Sequence, residues 1–143
     1  MMVKFDENQI LKNGEYIYAQ RAEIEKIADA VCEKGFDNIL FTSSGGSLAM
    51  MQPFDYMISV MSNLNVQSQI SAELLVEGNN HLTDKTLVFM ASKSGDTKET
   101  VAAAKYVKEK GATTVNVLYD NNIYLHLPFH IHLLSIIRES DYS

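Results

Sequence analysis

The stretch Ser92-Lys93-Ser94-Gly95-Asp96-Thr97-Lys98-Glu99-Thr100 gathers groups that could hold an anion. Hydroxyls donate hydrogen bonds, and glycine lets the backbone turn or come close to a ligand. An apolar run, Thr86-Leu87-Val88-Phe89-Met90-Ala91, leads in, and a helical pattern, Val101-Ala102-Ala103-Ala104-Lys105-Tyr106-Val107, leads out. The stretch therefore joins an expected buried strand to an expected helix N-terminus. The first N–H groups of a helix lack intrahelical partners, and the helix dipole adds positive charge there. Phosphates are bound at such junctions. A plainer use competes, because Ser94, Asp96 and Thr97 are also ordinary N-cap residues. One cap needs one oxygen, whereas Ser92, Ser94 and Thr97 offer three and Thr100 adds another one turn on.

A second loop of similar composition, Ser43-Ser44-Gly45-Gly46-Ser47, follows the apolar run Asn38-Ile39-Leu40-Phe41-Thr42 and precedes a helix expected from Leu48 to about Met61. Alone it is a weak signal. It matches neither the G-x-G-x-x-G fingerprint nor a P-loop ending in Gly-Lys-Ser/Thr. Pro53 is expected near the start of that helix, where proline is tolerated.

The remaining elements follow from periodicity. Asp6 can cap a short helix through Lys12, ahead of Gly14. From Glu15 the apolar residues Ile17, Ile24, Ile27 and Val31 recur at helical spacing, and Gly35 follows Lys34 as a stop. Asn65 to Ile70 reads as a strand, Ser71 to Leu75 as a short helix capped by Ser71, Thr97 to Lys110 as a long helix ended by Gly111, and Thr113 to Tyr119 as a strand. Alternation of this kind implies a three-layer α/β/α fold with a mainly parallel sheet and helices on both faces. Both Ser/Gly-rich loops follow strands, so both open on one edge of the sheet and can face a single ligand.

The chain has 143 residues, 46% of them apolar, which suits one ordinary domain. The formal net charge is −6 with no basic cluster, which argues against nucleic acid as a partner. A small phosphorylated ligand requires no basic surface. Cys32 is the single cysteine, so no intramolecular disulfide can form and a reducing, cytoplasmic setting is expected. It reads as a small buried apolar residue within a helix. The N-terminus has no apolar h-region, and we expect neither a signal peptide nor a membrane span. In the tail, His126 and His130 would share a helix face and His130 and His132 a strand face. Pro128 interrupts the first pair, and no cysteine lies near, so we expect no metal site and assign this apolar segment to packing against the open sheet.

The pair of loops, about fifty residues apart, is far more specific than either alone. Strand, Ser-Gly-Gly-Ser, helix, then strand, Ser-x-Ser-Gly-x-Thr-x-Glu-Thr, helix resembles the sugar isomerase (SIS) domain of phosphosugar isomerases, including the isomerase half of glucosamine-6-phosphate synthase. The Thr97-Lys98-Glu99-Thr100-Val101-Ala102-Ala103-Ala104 run and the N-terminal helix look most like the deglycases of fructoselysine or glucoselysine 6-phosphate. The resemblance covers about Phe5 to Val117. It implies a flavodoxin-like or Rossmann-like sheet, a sugar phosphate as ligand, no cofactor, and a homodimer or higher homo-oligomer.

It also implies that Ser44, Gly45, Gly46 and Ser47 in the first loop, with Ser92, Lys93, Ser94 and Thr97 in the second, hold the phosphate. Lys93 would neutralise charge there, or else point to solvent. Ala72-Glu73-Leu74 resembles a short Ala-Ser-Glu-Phe segment of the family, which makes Glu73 the candidate acid–base group. Glu in a first helical turn also serves plain dipole compensation.

Beyond Val117 the likeness stops. Where relatives continue with an Asp-Ser-Pro-Leu-Ala-like turn, a helix, a further strand and a second SIS module, this chain has an unrelated tail. The organisation we expect is an N-terminal helical segment over 1–35, a partial SIS domain over 36–120 and a divergent tail over 121–143. The family's catalytic glutamate and histidine fall in the missing part. The chain is therefore expected to be a truncated or frame-altered copy, incomplete for catalysis, with a non-catalytic sugar-phosphate-binding or regulatory module as the alternative.

Overall fold

The computed structural model describes residues 11, 14–15, 18–92, 97–118 and 131–133. The elements run α1 (Arg21–Lys34), β1 (Asn38–Ser43), α2 (Gly46–Met61), β2 (Asn65–Ile70), α3 (Ser71–Glu77), β3 (Thr86–Ser92), α4 (Lys98–Glu109), β4 (Thr113–Leu118) and β5 (Ile131–Leu133). The expected helix at Asp6 to Lys12 lies, except for Leu11, outside the described residues.

Five parallel strands pair in the order β2-β1-β3-β4-β5. The order follows from burial. From Ile39 to Ser43 every residue of β1 is buried, and so is all of β3 except the half-buried Phe89. Strands covered on both faces belong at the centre of a parallel sheet. β2, with Asn65, Gln67, Ser68 and Gln69 along it, is the edge. β1 and β3 are neighbours although β2 lies between them in sequence, so the sheet changes winding direction there. β5 arises in the stretch where the sequence carries no family motif, and extends the sheet beside β4.

Each face has its own apolar core. Against α3 and α4 pack Leu40, Val88 and Met90 from the sheet, with Leu74, Leu82, Ala103, Ala104 and Val107. Burying a side chain such as Leu74 or Val107 fully contributes about 1.5–3 kcal/mol. Against α1 and α2 pack Ile39, Phe41, Leu87, Ala91 and Val115, with Val31, Leu48 and Met51. Phe41 and Phe89 stack across β1 and β3 at 5.3 Å between ring centroids. The small side chains Ala103 and Ala104 are fully buried where α4 meets the sheet.

Three local expectations need correction. α2 begins at Gly46, so Pro53 stands about two turns inside the helix and not in its first turn. There it removes the donor that would bond the Ala49 carbonyl. Ser71 is the first helical residue of α3, with Ile70 at the cap position, and its hydroxyl lies 3.4 Å from that of Thr42 instead of capping. Cys32 is exposed. Only Val31 of α1 is fully buried, and the next residue is turned about 100° away from it.

Candidate functional site

β1 and β3 run parallel with Ser43 in register with Ala91, so their C-terminal ends finish side by side. The Ser43 hydroxyl donates to the Ala91 carbonyl and joins the two strands at that edge. Each strand then turns into a helix. After β1, Ser44 and Gly45 make the turn into α2. Gly45 has φ 56° and ψ −132°, a conformation that only glycine adopts without strain. After β3, Thr97 stands at the N-cap of α4.

Two helix N-termini therefore rise from adjacent strands. Among the described residues neither is closed by a side-chain cap: Gly45 has no side chain, and Thr97 makes no cap hydrogen bond. The leading backbone N–H groups of a helix have no intrahelical acceptor; in α2 the first to find one is that of Leu48, which donates to the Gly45 carbonyl at 3.2 Å. α2 has no acidic residue in its first turn to offset its dipole, whereas α4 has Glu99. Ser44 is half-buried, and its hydroxyl lies 3.5 Å from that of Thr100, which is buried in the first turn of α4. This contact bridges the two strand-to-helix junctions. Such an edge can accept an oxyanion through backbone N–H groups and hydroxyls with no metal and little net charge.

The candidate residues are distributed as follows. Ser44, Gly45, Gly46 and Ser47 form the first junction; the two glycines are exposed and Ser47 is half-buried. Ser92 is the buried last residue of β3 and so belongs to the strand, not the loop. Thr97 is half-buried at the second junction. Lys93 and Ser94 lie outside the described residues. Glu73 is exposed in the first turn of α3, beyond the C-terminal end of β2 and so on the same edge, one strand outward from Ser44.

Thr42, Ser43, Ser71 and Thr100 were not among the assigned site residues, yet all are buried hydroxyls supporting this edge. Their sequence signal was present for three of them. Thr42 and Ser43 end an apolar strand with polar groups, and Thr100 follows Thr97 by the three residues that keep it on one helix face. Nothing in the sequence marked Ser71 as a partner of Thr42.

Among the described residues no three His, Cys, Asp or Glu side chains converge as a metal set, and no helix is long and apolar enough to cross a membrane. His126 and His130 lie outside the described residues, and His132 belongs to β5.

Comparison with known proteins adds the following. The SIS domain family model matches residues 35–123. Fructosamine deglycase FrlB of Bacillus subtilis (strain 168) is 33% identical over 98 residues, covering 68% of this chain and 30% of the relative. A glutamine–fructose-6-phosphate aminotransferase (isomerizing) of Methanococcus maripaludis is 36% identical over 113 residues, covering 79% of this chain and 18% of the relative. The chain thus spans less than a third of either protein. Tagatose-6-phosphate ketose/aldose isomerase from Escherichia coli superposes with a TM-score of 0.70 at 15% identity, over 85% of this chain and 35% of that one, a likeness of fold.

Proposed function

This chain belongs to the SIS domain family, and we propose that it binds a sugar phosphate at the shared edge of β1 and β3. The phosphate is held by Ser44, Gly45, Gly46 and Ser47 from one junction and by Ser92, Lys93, Ser94 and Thr97 from the other. One observation carries the reading: two helix N-termini, neither closed by a side-chain cap among the described residues, stand side by side with their hydroxyls turned to each other through Ser44 and Thr100. The names of the relatives, a fructosamine deglycase and aminotransferases of fructose 6-phosphate, supply the ligand class. A hexose 6-phosphate or a phosphorylated Amadori compound is the ligand we assign.

The chemistry of this reading is proton transfer beside a carbonyl or imine, through an enediol-like or enolamine intermediate. A deglycase would follow it with hydrolysis of the carbon–nitrogen bond, releasing an amine and a hexose 6-phosphate. Such a step needs a carboxylate or imidazole within reach of the carbon acid. Glu73 is the candidate on this edge. The binding unit spans residues 36–120, after a helical segment over 1–35 and before a divergent tail over 121–143. We assign it to the cytoplasm, as a homo-oligomer without a cofactor.

A second reading, a sugar-phosphate-binding module without turnover, is favoured by the make-up of the edge. Its described groups are hydroxyls and backbone, with Lys98 and Glu99 exposed in the first turn of α4 and Glu73 the one carboxylate assigned to proton transfer. The test of binding is thermal unfolding with glucose 6-phosphate against glucose. A higher midpoint with the phosphate alone supports the proposal, and equal midpoints refute it.

A further inference from the structure

Helix α3 follows β2 with no intervening loop: Ile70 ends the strand and Ser71 begins the helix. Its 7 residues are too few for a helix to be stable by itself in water, so its place is set by what it touches. Leu74 packs into the core shared with α4. At the far end the Gln69 amide donates to the Gly78 carbonyl at 3.2 Å. At the near end the Ser71 hydroxyl meets that of Thr42 at 3.4 Å, and both residues are fully buried. Buried hydroxyls are costly unless paired, and here each is the other's partner. Thr42 lies in β1, directly before Ser43. The contact therefore ties the start of α3 to the strand that leads into the first junction.

We propose that Thr42 and Ser71 are positioning residues, which hold Glu73 where it meets the sugar end of the ligand. The inference rests on the phosphate-binding reading and adds the direction in which the sugar lies. In a hexose 6-phosphate the phosphate and the carbonyl group stand at opposite ends of the carbon chain. With its phosphate at the ends of β1 and β3, the sugar must extend over a neighbouring strand. Toward β2, Ser43 is in register with Ile70, so α3 starts one strand spacing, about 5 Å, from the first junction. Glu73 follows in the first turn, exposed, with a carboxylate that accepts hydrogen bonds from hydroxyls. Among the described residues no side chain bonds it. The backbone of that turn therefore sets where Glu73 stands, and Ser71 anchors the turn. The hydroxyl pair thus governs affinity for the sugar and leaves that for the phosphate alone.

Calorimetric titration with inorganic phosphate and, separately, with fructose 6-phosphate tests this. The wild-type chain should bind both, the sugar phosphate more tightly. The Thr42→Val, Ser71→Ala double variant removes both hydroxyls together, so no buried group is left unpaired and the fold is kept. It should bind fructose 6-phosphate about tenfold more weakly, the loss of one hydrogen bond to a charged group, and inorganic phosphate as wild type does. Thr42→Ser keeps the hydroxyl and should keep the affinity for both. Glu73→Gln, at an exposed site, should itself weaken fructose 6-phosphate binding, yet add little to the double variant, because both changes remove the same contact. Binding of neither ligand by wild type would overturn the phosphate reading and this inference with it. Phosphate binding without a preference for the sugar phosphate would overturn this inference alone. So would a double variant or Glu73→Gln that binds fructose 6-phosphate as wild type does, equal losses for the two ligands in the double variant, or losses from the two changes that multiply.

Discussion

The Ser47 and Thr97 hydroxyls stand at helix N-termini, where a hydroxyl either caps the helix or faces a ligand. In this fold Thr97 makes no cap bond, and Gly45 rather than Ser47 occupies the cap of α2. Ser47→Ala and Thr97→Ala are therefore expected to weaken hexose 6-phosphate binding by about 1–3 kcal/mol each, the range for hydrogen bonds to a charged group. Their unfolding midpoints in urea should stay near wild type. The reverse pattern, lost stability with unchanged affinity, would make both residues caps. Thr100 gives a second prediction. Thr100→Val removes the hydroxyl that meets Ser44 while keeping the shape, and should weaken phosphate binding, with Thr100→Ser restoring it. At this scale the hydroxyls of the two junctions were legible because their types and spacing are unusual. Cys32 was not, because its exposure depends on how little of α1 meets the sheet.

Among the elements, α2 is set by the backbone of Gly45. Its φ of 56° with ψ of −132° lies where side chains bring strain of about 1–3 kcal/mol. Gly45→Ala should lower stability by that amount and disturb the N-terminus proposed to hold the phosphate. Gly46→Ala, inside the helix with open space around it, should be tolerated. Equal losses for the two would show that the turn conformation does not matter. Strands and helices were legible from periodicity, to within a residue or two at most ends. The start of α2 was displaced because the glycine turn allows the helix to begin before the first apolar residue, Leu48, and this moved Pro53 inward. β5 was not read as part of the sheet, since three residues within an apolar tail carry too little pattern.

For the whole molecule, alternating strands and helices announced a parallel sheet, but its order β2-β1-β3-β4-β5 rests on burial that no single segment displays. That order matters, because it brings the β1 and β3 ends together and leaves Glu73 one strand outward. Holding a phosphate does not by itself move a proton. The 143-residue chain alone is therefore expected to release little or no glucose 6-phosphate from fructoselysine 6-phosphate, and to exchange fructose and glucose 6-phosphates no faster. Robust turnover would contradict this, and loss of that turnover in Glu73→Gln would identify its acid–base group.

The central claim is that the paired helix N-termini address the phosphate and not the sugar. Calorimetric titration of the chain with fructose 6-phosphate and, separately, with fructose tests it most directly. The account predicts at least tenfold tighter binding of the phosphate, about 1.4 kcal/mol, with most of that preference lost in the Ser47→Ala, Thr97→Ala double variant. Equal affinity for the two sugars, or a preference that survives the double substitution intact, would contradict it.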